Sequence, residues 1–347
     1  MVNYRFARRV FPQTIATAVL ALAIIAWAAS AADAQVVNDD DPITVDSALV
    51  RLNVGVVDRR GRPILDLGMN NFAVYEDNVK QKIDNFEMTT APFSLVMLLD
   101  VSGSTKQFRQ NLQLAAKRFL DALGPEDRVC IVAFSKKVEA LSGFTSDRKD
   151  LYYAIDIADG KGETDLYKAL QFSLDKLKGQ GKRRKAIVVL TDGGDTSMKV
   201  EDRLAVGRSS TVDEAVGSIK PEKSAILQQV LNAADRQFVT IYPLALPTGD
   251  PKRLPDPSPL QIALFTAARA RLQIMADRTG GRLNAINNLE DMSRLYGEVA
   301  ADLRTLYTVT YQSSNVGVKR PDRWRDIRIE LDKPDLLART RQGYYVR

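Results

Sequence analysis

The chain has 347 residues and not one histidine. That excludes serine–histidine and cysteine–histidine nucleophile systems, histidine-ligated zinc and haem, and acid–base chemistry by an imidazole. Only one cysteine, Cys130, is present, which excludes an intramolecular disulfide, a cysteine zinc site and an iron–sulfur cluster. Any metal must then rest on oxygen ligands, a preference of Mg²⁺, Ca²⁺ and Mn²⁺. Cys130 lies inside the apolar run Val129–Phe134 and reads as a small core residue.

A strong excess of one charge is also lacking. The formal net charge is +6, and Arg5, Arg8 and Arg9 against Asp33 leave +4 beyond residue 34. A surplus this mild argues against nucleic acid as partner. Those arginines form a basic start, Ile15–Ala29 an apolar stretch, and Ala32-Asp33-Ala34 a small-x-small cleavage site, so residues 1–34 read as a signal peptide. The expected location is periplasmic or secreted. The alternative is an uncleaved anchor over residues 10–32 in the inner membrane, which bear no charge before Asp33. Without disulfides, stability after export must come from the core alone.

Residues 35–46 read as a polar linker. Val50, Leu52, Val54 and Val56 alternate as in a half-buried strand, and Phe72–Glu76 and Gln81–Phe86 continue a small β segment over 47–91. The texture then changes. Leu95–Leu99, Val129–Phe134, Ala186–Leu190 and Phe238–Leu246 are nearly continuous apolar runs, the mark of strands covered on both faces of a parallel sheet. Helical patterns lie between them, with Phe108, Leu112, Ala115, Ala116, Phe119, Leu120 and Leu123 on one face. The expected fold over 92–305 is a doubly wound α/β domain. Asp195–Lys223, polar and weakly periodic, and Pro247–Pro259, with five prolines, read as surface excursions. After a helix-like Leu289–Leu306, strand texture returns at Tyr307–Gln312, Ile327–Leu331 and Tyr344–Val346. The segment 306–347 is expected to pack with 47–91, leaving the α/β domain as an insertion in one β unit.

Three polar loops follow apolar strands or open helices: Asp100-Val-Ser102-Gly-Ser104, Gly162-Glu-Thr164-Asp165 and Thr191-Asp192-Gly-Gly-Asp195. In an open α/β sheet, ligands bind at the carboxyl ends of the strands. Loops converging there would offer two serine hydroxyls, a threonine hydroxyl and two carboxylates, an all-oxygen set suited to a hard cation. A serine after a strand also serves as a helix cap, and Ser104 could have that simpler role. Glu163, Asp165 and Asp195 read as solvated loop charges. Lys319–Arg325, basic residues around Trp324, reads as a hairpin turn with exposed charges.

The motif Asp100-x-Ser102-x-Ser104, with Thr164 in Gly-x-Thr-Asp and Asp192 in Thr-Asp-Gly, resembles the metal-ion-dependent adhesion site (MIDAS) of von Willebrand factor type A (VWA) domains. Asn71–Asp77 before the domain and Arg341–Tyr345 after it resemble exported VWA-related proteins of Acidobacteria. The resemblance implies metal ligation at Asp100, Ser102, Ser104, Thr164 and Asp192. Ser102 and Ser104 would bind directly, Thr164 directly or through water, and Asp100 and Asp192 directly or by holding coordinated waters. It further implies Mg²⁺, Mn²⁺ or Ca²⁺, and a protein ligand whose Asp or Glu carboxylate completes the cation's shell. In some relatives the C-terminal helix moves with ligand binding, a role Leu289–Leu306 would take.

Other functions remain open at this stage. A strand ending in Asp100, with Thr191-Asp192 later, superficially resembles haloacid-dehalogenase phosphatases. The second aspartate of that pattern is replaced by Ser102, which removes its usual acid–base group. No Walker loop exists, since Gly160-Lys-Gly162 lacks the Gly-Lys-Ser/Thr ending. A scaffold protein with an incidental metal site is the other alternative.

Overall fold

The computed structural model describes residues 49–345, apart from 61, 90–91, 182, 249, 287–290, 305 and 315–322. The signal segment and linker read from the sequence lie outside the described residues. The described chain begins with β1 (Leu49–Asp58), β2 (Phe72–Glu76), β3 (Val79–Gln81) and β4 (Ile83–Thr89). Its middle runs β5 (Phe93–Asp100), α1 (Arg109–Ala122), β6 (Arg128–Phe134), β7 (Val138–Ala140), α2 (Arg148–Asp156) and α3 (Leu166–Lys178). Then come β8 (Arg184–Thr191), α4 (Thr196–Val206), α5 (Val212–Ser218), α6 (Ala225–Gln237), β9 (Val239–Ala245) and α7 (Pro259–Thr279). β10 (Asn284–Ala285) and α8 (Asp291–Arg304) complete it, and β11 (Leu306–Gln312), β12 (Trp324–Leu331), β13 (Leu336–Arg339) and β14 (Gly343–Tyr345) follow.

The middle section forms a six-stranded sheet of order β10-β9-β8-β5-β6-β7. All neighbours are parallel except β7, which pairs antiparallel with β6. The apolar runs have a direct cause in β5. Successive side chains of a strand point to opposite faces. Leu95, Met97 and Leu99 join a core with Phe119 of α1 and Tyr296 of α8. Val96 and Leu98 join the opposite core with Leu170 of α3 and Leu231 of α6. Both faces are covered, so every position from Leu95 to Leu99 is apolar. The fold is mixed α/β with a mostly parallel central sheet and flanking antiparallel sheets.

Those flanking strands make two four-stranded sheets, β13-β1-β11-β4 and β14-β12-β2-β3. Leu52 and Val54 of β1, Val74 of β2 and Tyr307, Val309 and Tyr311 of β11 share one core between them. β1 pairs with β11 over seven residues, and β4 pairs with the other edge of β11, Leu306 opposite Thr89. Buried Glu76 is held in this sandwich by three hydroxyls: Tyr311 and Tyr344 donate to one oxygen at 2.8 and 3.0 Å, Ser313 to the other at 2.6 Å. Behind β14 the chain is pinned to α7, with Gln342 N donating to Arg278 O at 3.1 Å. Gly343 lies so close to the Trp324 ring that a Cβ would sit 2.3 Å from it.

Two sequence expectations need correction. Asp195–Lys223 contains two helices, α4 and α5, rather than irregular chain. Val206, Ala215 and Ile219 pack on Ala263 and Ala267 of α7 in a small core of their own. The polar reading failed because Asp202 is buried yet neutralised by Arg271, two hydrogen bonds of 2.7 and 2.6 Å in a forked pair. In the basic run 319–325, residues 319–322 lie outside the described residues, and Arg325 is buried rather than exposed, donating to Asp77 at 2.7 Å.

Candidate metal centre

β5 and β8 are neighbours, while the chain leaving β5 goes the other way, to β6. This is the point where strand order reverses, and a crevice opens there at the carboxyl ends. Asp100 closes β5 and is wholly buried. Thr191 closes β8, with Asp192 next in the chain and 8% exposed.

The Asp100 carboxylate is fixed from two strands. Its Oδ1 accepts the Ser102 amide at 3.0 Å, and its Oδ2 accepts the Thr191 hydroxyl at 2.9 Å. Ser102 Oγ and Ser104 Oγ lie 3.1 Å apart. The Ser102 side chain makes no capping hydrogen bond, and Ser104 sits inside the 3₁₀ turn Gly103–Phe108, so neither has the plain capping role. Thr105 takes up the turn's backbone instead, its hydroxyl donating to Asp100 O and Ser102 O.

The second loop is drawn against the first by Gly103 N donating to Gly162 O at 3.1 Å. Gly160 permits this approach, since a Cβ there would lie 2.6 Å from Val101 Cγ2. Arg109 ties the same loop down, donating to Val101 O and Gly160 O and pairing with Asp159. Thr164 is joined to the third loop through Thr196. Thr164 N donates to Thr196 Oγ1 at 3.1 Å, and Thr196 N to Thr164 O at 2.9 Å. Asp192 Oδ1 accepts Gly194 N at 2.8 Å. Backbone bonds thus bring the three loops together, and Asp100, Ser102, Thr164 and Asp192 are all buried while Ser104 is exposed.

Electrostatics distinguish the cluster. Burial pushes the Asp100 carboxyl up to about 6, and the neighbouring Asp192 carboxylate pushes the same way. The hydrogen bonds from Ser102 and Thr191 oppose this only in part. Two carboxylates beside neutral hydroxyls in a desolvated crevice suit a hard divalent cation, which relieves both their repulsion and their desolvation. The donor set therefore fits such an ion. Among the described residues no group of three or more carboxylate or cysteine side chains converges on a metal-sized site. A cation here would depend on hydroxyl oxygens.

The other charges separate by role. Glu163 is exposed and 3.5 Å from Lys136. Asp195, expected in solvent, is buried as the cap of α4, accepting Ser197 N at 3.0 Å and Met198 N at 3.2 Å. Its position two residues before Ser197 is an ordinary capping signal. Thr191 reads from the sequence only as the start of the third loop, and Thr105 not at all, because a threonine that positions another residue has no signature until its partner's position is known. Cys130 Sγ donates to Ser142 O, and burial pushes its thiol up to about 11.

Residues 95–194 match the family model of the von Willebrand factor type A domain. No curated protein matches the chain. Among solved structures, a von Willebrand factor type A protein from Catenulispora acidiphila is 16% identical, covering 73% of this chain and 49% of its own, with a TM-score of 0.44. The vWF domain of the type V pili tip protein Mfa5 from Porphyromonas gingivalis is 14% identical, covering 62% and 96%, with a TM-score of 0.46. Proximal thread matrix protein 1 from the mussel byssus, with a zinc-occupied MIDAS motif, is 16% identical, covering 66% and 49%, with a TM-score of 0.44. The chain thus spans about half the length of the Catenulispora and mussel proteins. No helix among the described residues is long and apolar enough to cross a membrane.

Proposed function

We propose that this VWA-domain chain is an exported binding protein that recognises a protein partner through a divalent cation at the Asp100–Asp192 crevice. VWA domains commonly mediate protein–protein interaction. The observation that carries the reading is the buried Asp100 carboxyl, raised by burial and by Asp192, beside the paired Ser102 and Ser104 hydroxyls. Asp100, Ser102, Ser104, Thr164 and Asp192 would hold the ion, with Mg²⁺ the first candidate and Mn²⁺ or Ca²⁺ next. The bound ion would supply an open coordination position for an Asp or Glu carboxylate of the partner. The protein's own part is to hold its hydroxyls and carboxylates in place before binding. Thr191 fixes Asp100, Gly194 fixes Asp192, and Thr196 fixes the Thr164 loop.

Titration calorimetry with Mg²⁺ and Mn²⁺, followed by capture of partners from an envelope extract with Mg²⁺ or with EDTA, tests this. The expected result is saturable ion binding lost in Asp100→Ala and a captured partner released by EDTA. Absence of ion binding, or capture indifferent to EDTA, overturns it.

A further inference from the structure

Two cations stand beside Asp192, one on each helix that packs against its loop. Lys199 is exposed on the first turn of α4. A Cβ on Gly194 would lie 2.6 Å from Lys199 Nζ and 2.9 Å from Asp192 Oδ1. The ammonium and the carboxylate thus face each other across a gap narrower than a methyl group needs. Among the described residues Lys199 forms no ion pair.

Arg269 reaches the same loop from α7. Its neighbours Ala268 and Leu272 press on Gly193, where a Cβ would meet Leu272 Cδ1 at 2.9 Å and Ala268 O at 3.2 Å. Arg269 Nη2 donates to Leu246 O, and Leu246 N in turn donates to Thr191 O at 2.8 Å. The guanidinium lies over the Phe265 ring, 4.9 Å from its centroid. Its other terminal nitrogen, Nη1, is buried and has no hydrogen-bond partner among the described residues. Burial disfavours the charge on Arg269, and the Asp192 and Asp250 carboxylates act the other way. Asp250 accepts Lys252 N at 3.0 Å, and neither carboxylate forms an ion pair with Arg269 among the described residues.

Ordinary structural roles leave much of this unexplained. The bond to Leu246 O ties α7 to the end of β9, but it uses one nitrogen of the guanidinium and neutralises no charge. A lysine in the first turn of a helix opposes the helix dipole, whose positive end favours an anion there. In the ion-loaded crevice the carboxylates of Asp100 and Asp192 balance a divalent ion. Lys199 and Arg269 are surplus to that balance. An unpartnered guanidinium nitrogen and an ammonium on a flexible stem suit a further carboxylate.

We propose that Lys199 and Arg269 receive a second carboxylate of the partner, so that the segment recognised is an acidic run rather than a lone Asp or Glu. This rests on the reading of the crevice as the site where a first carboxylate meets the ion. Specificity then comes from charge complementarity around the ion as well as from the ion itself.

Two labelled peptides are the probes: hexaglutamate, and a hexapeptide with one glutamate among five glutamines. Fluorescence anisotropy reads their binding to the full chain in saturating Mg²⁺. Hexaglutamate is expected to bind at least thirtyfold more tightly, where six equivalent choices alone give sixfold. In Lys199→Gln/Arg269→Gln this preference is expected to fall to tenfold or less. Single Lys199→Gln, at an exposed position, is expected to reduce it at least threefold and guards against misfolding of the double variant. Lys80→Gln, exposed on β3 of the sandwich, removes the same charge elsewhere and is expected to keep the preference. A wild-type preference near sixfold, a preference kept in both crevice variants, or its loss in Lys80→Gln overturns the proposal. Calorimetry supplies the second readout. The double variant is expected to bind Mg²⁺ at least as tightly as the wild type, since two cations beside the ion are gone. Weaker ion binding would assign the pair to holding the crevice's shape and overturn the proposal. A wild type that binds no Mg²⁺ overturns the metal reading along with it, whereas Mg²⁺ binding without the peptide preference overturns the second-carboxylate proposal alone.

Discussion

The Thr191 hydroxyl reaches from the end of β8 to Asp100 Oδ2 at the end of β5, 2.9 Å away, and also accepts the Gly193 amide at 3.1 Å. One side chain therefore sets both the strand-end carboxylate and the turn that carries Asp192. Thr191→Val keeps the shape and removes the hydroxyl. It is expected to destabilise the protein by about 1–3 kcal/mol, measured by urea denaturation, and to weaken Mg²⁺ binding in calorimetry.

Asp100 makes the metal-free protein pH-sensitive. Its folded-state value of about 6 lies above the ordinary 3.8. As pH rises, the unfolded chain loses this proton first, so stability falls between about pH 4 and pH 6 and stays lower above that. Asp100→Asn in EDTA is expected to be more stable than the wild type at pH 7, by up to about 3 kcal/mol, and to lose that advantage near pH 4. Parallel denaturation curves at both pH values check this, and an unchanged difference would refute it.

Ser102→Ala and Ser104→Ala separate ligation from folding. Their hydroxyls contact each other and make no helix cap, so the melting temperature in EDTA is expected to move little. The stabilisation by excess Mg²⁺, about 2.7 kcal/mol at a hundredfold excess over Kd, is expected to shrink in both. Melting curves with and without Mg²⁺ read the effect.

Gly160→Ala would place a methyl group 2.6 Å from Val101 Cγ2 and 2.9 Å from Val101 O. Overpacking of this kind costs about 1–3 kcal/mol. The expected readout is a lower denaturation midpoint together with weaker ion binding, because the loop carrying Thr164 is displaced.

The Asp202–Arg271 pair, with both side chains under a tenth exposed, offers a cycle. Arg271→Met leaves a buried carboxylate unpaired and is expected to cost about 3–5 kcal/mol. Adding Asp202→Leu is expected to recover most of that loss. A double variant as unstable as the single one would show that the forked geometry, not the charge, matters.

The mixed α/β class was legible because β5 and β8 are buried on both faces, which leaves a continuous apolar signature. The loops after those strands were legible because Asp, Ser, Thr and Gly cluster where each apolar run stops. Less was visible where one residue hides another. Asp202 made α4 look solvent-exposed because its partner Arg271 is sixty-nine residues away. Pairing across such separations is a property of topology, and only local patterns can be read along a chain.

β4 and β11 carry the chain into and out of the α/β section, and they lie side by side, Thr89 opposite Leu306. Tension on a partner held at the Asp100 edge would reach the sandwich through both strands at once. β4 pairs in its sheet with β11, and β11 pairs in turn with β1 over seven rungs, so the load passes in shear through β11 to β1 rather than being peeled bond by bond. The same adjacency makes the α/β section exchangeable as a cassette: a tight turn from β4 to β11 would close the sandwich without it.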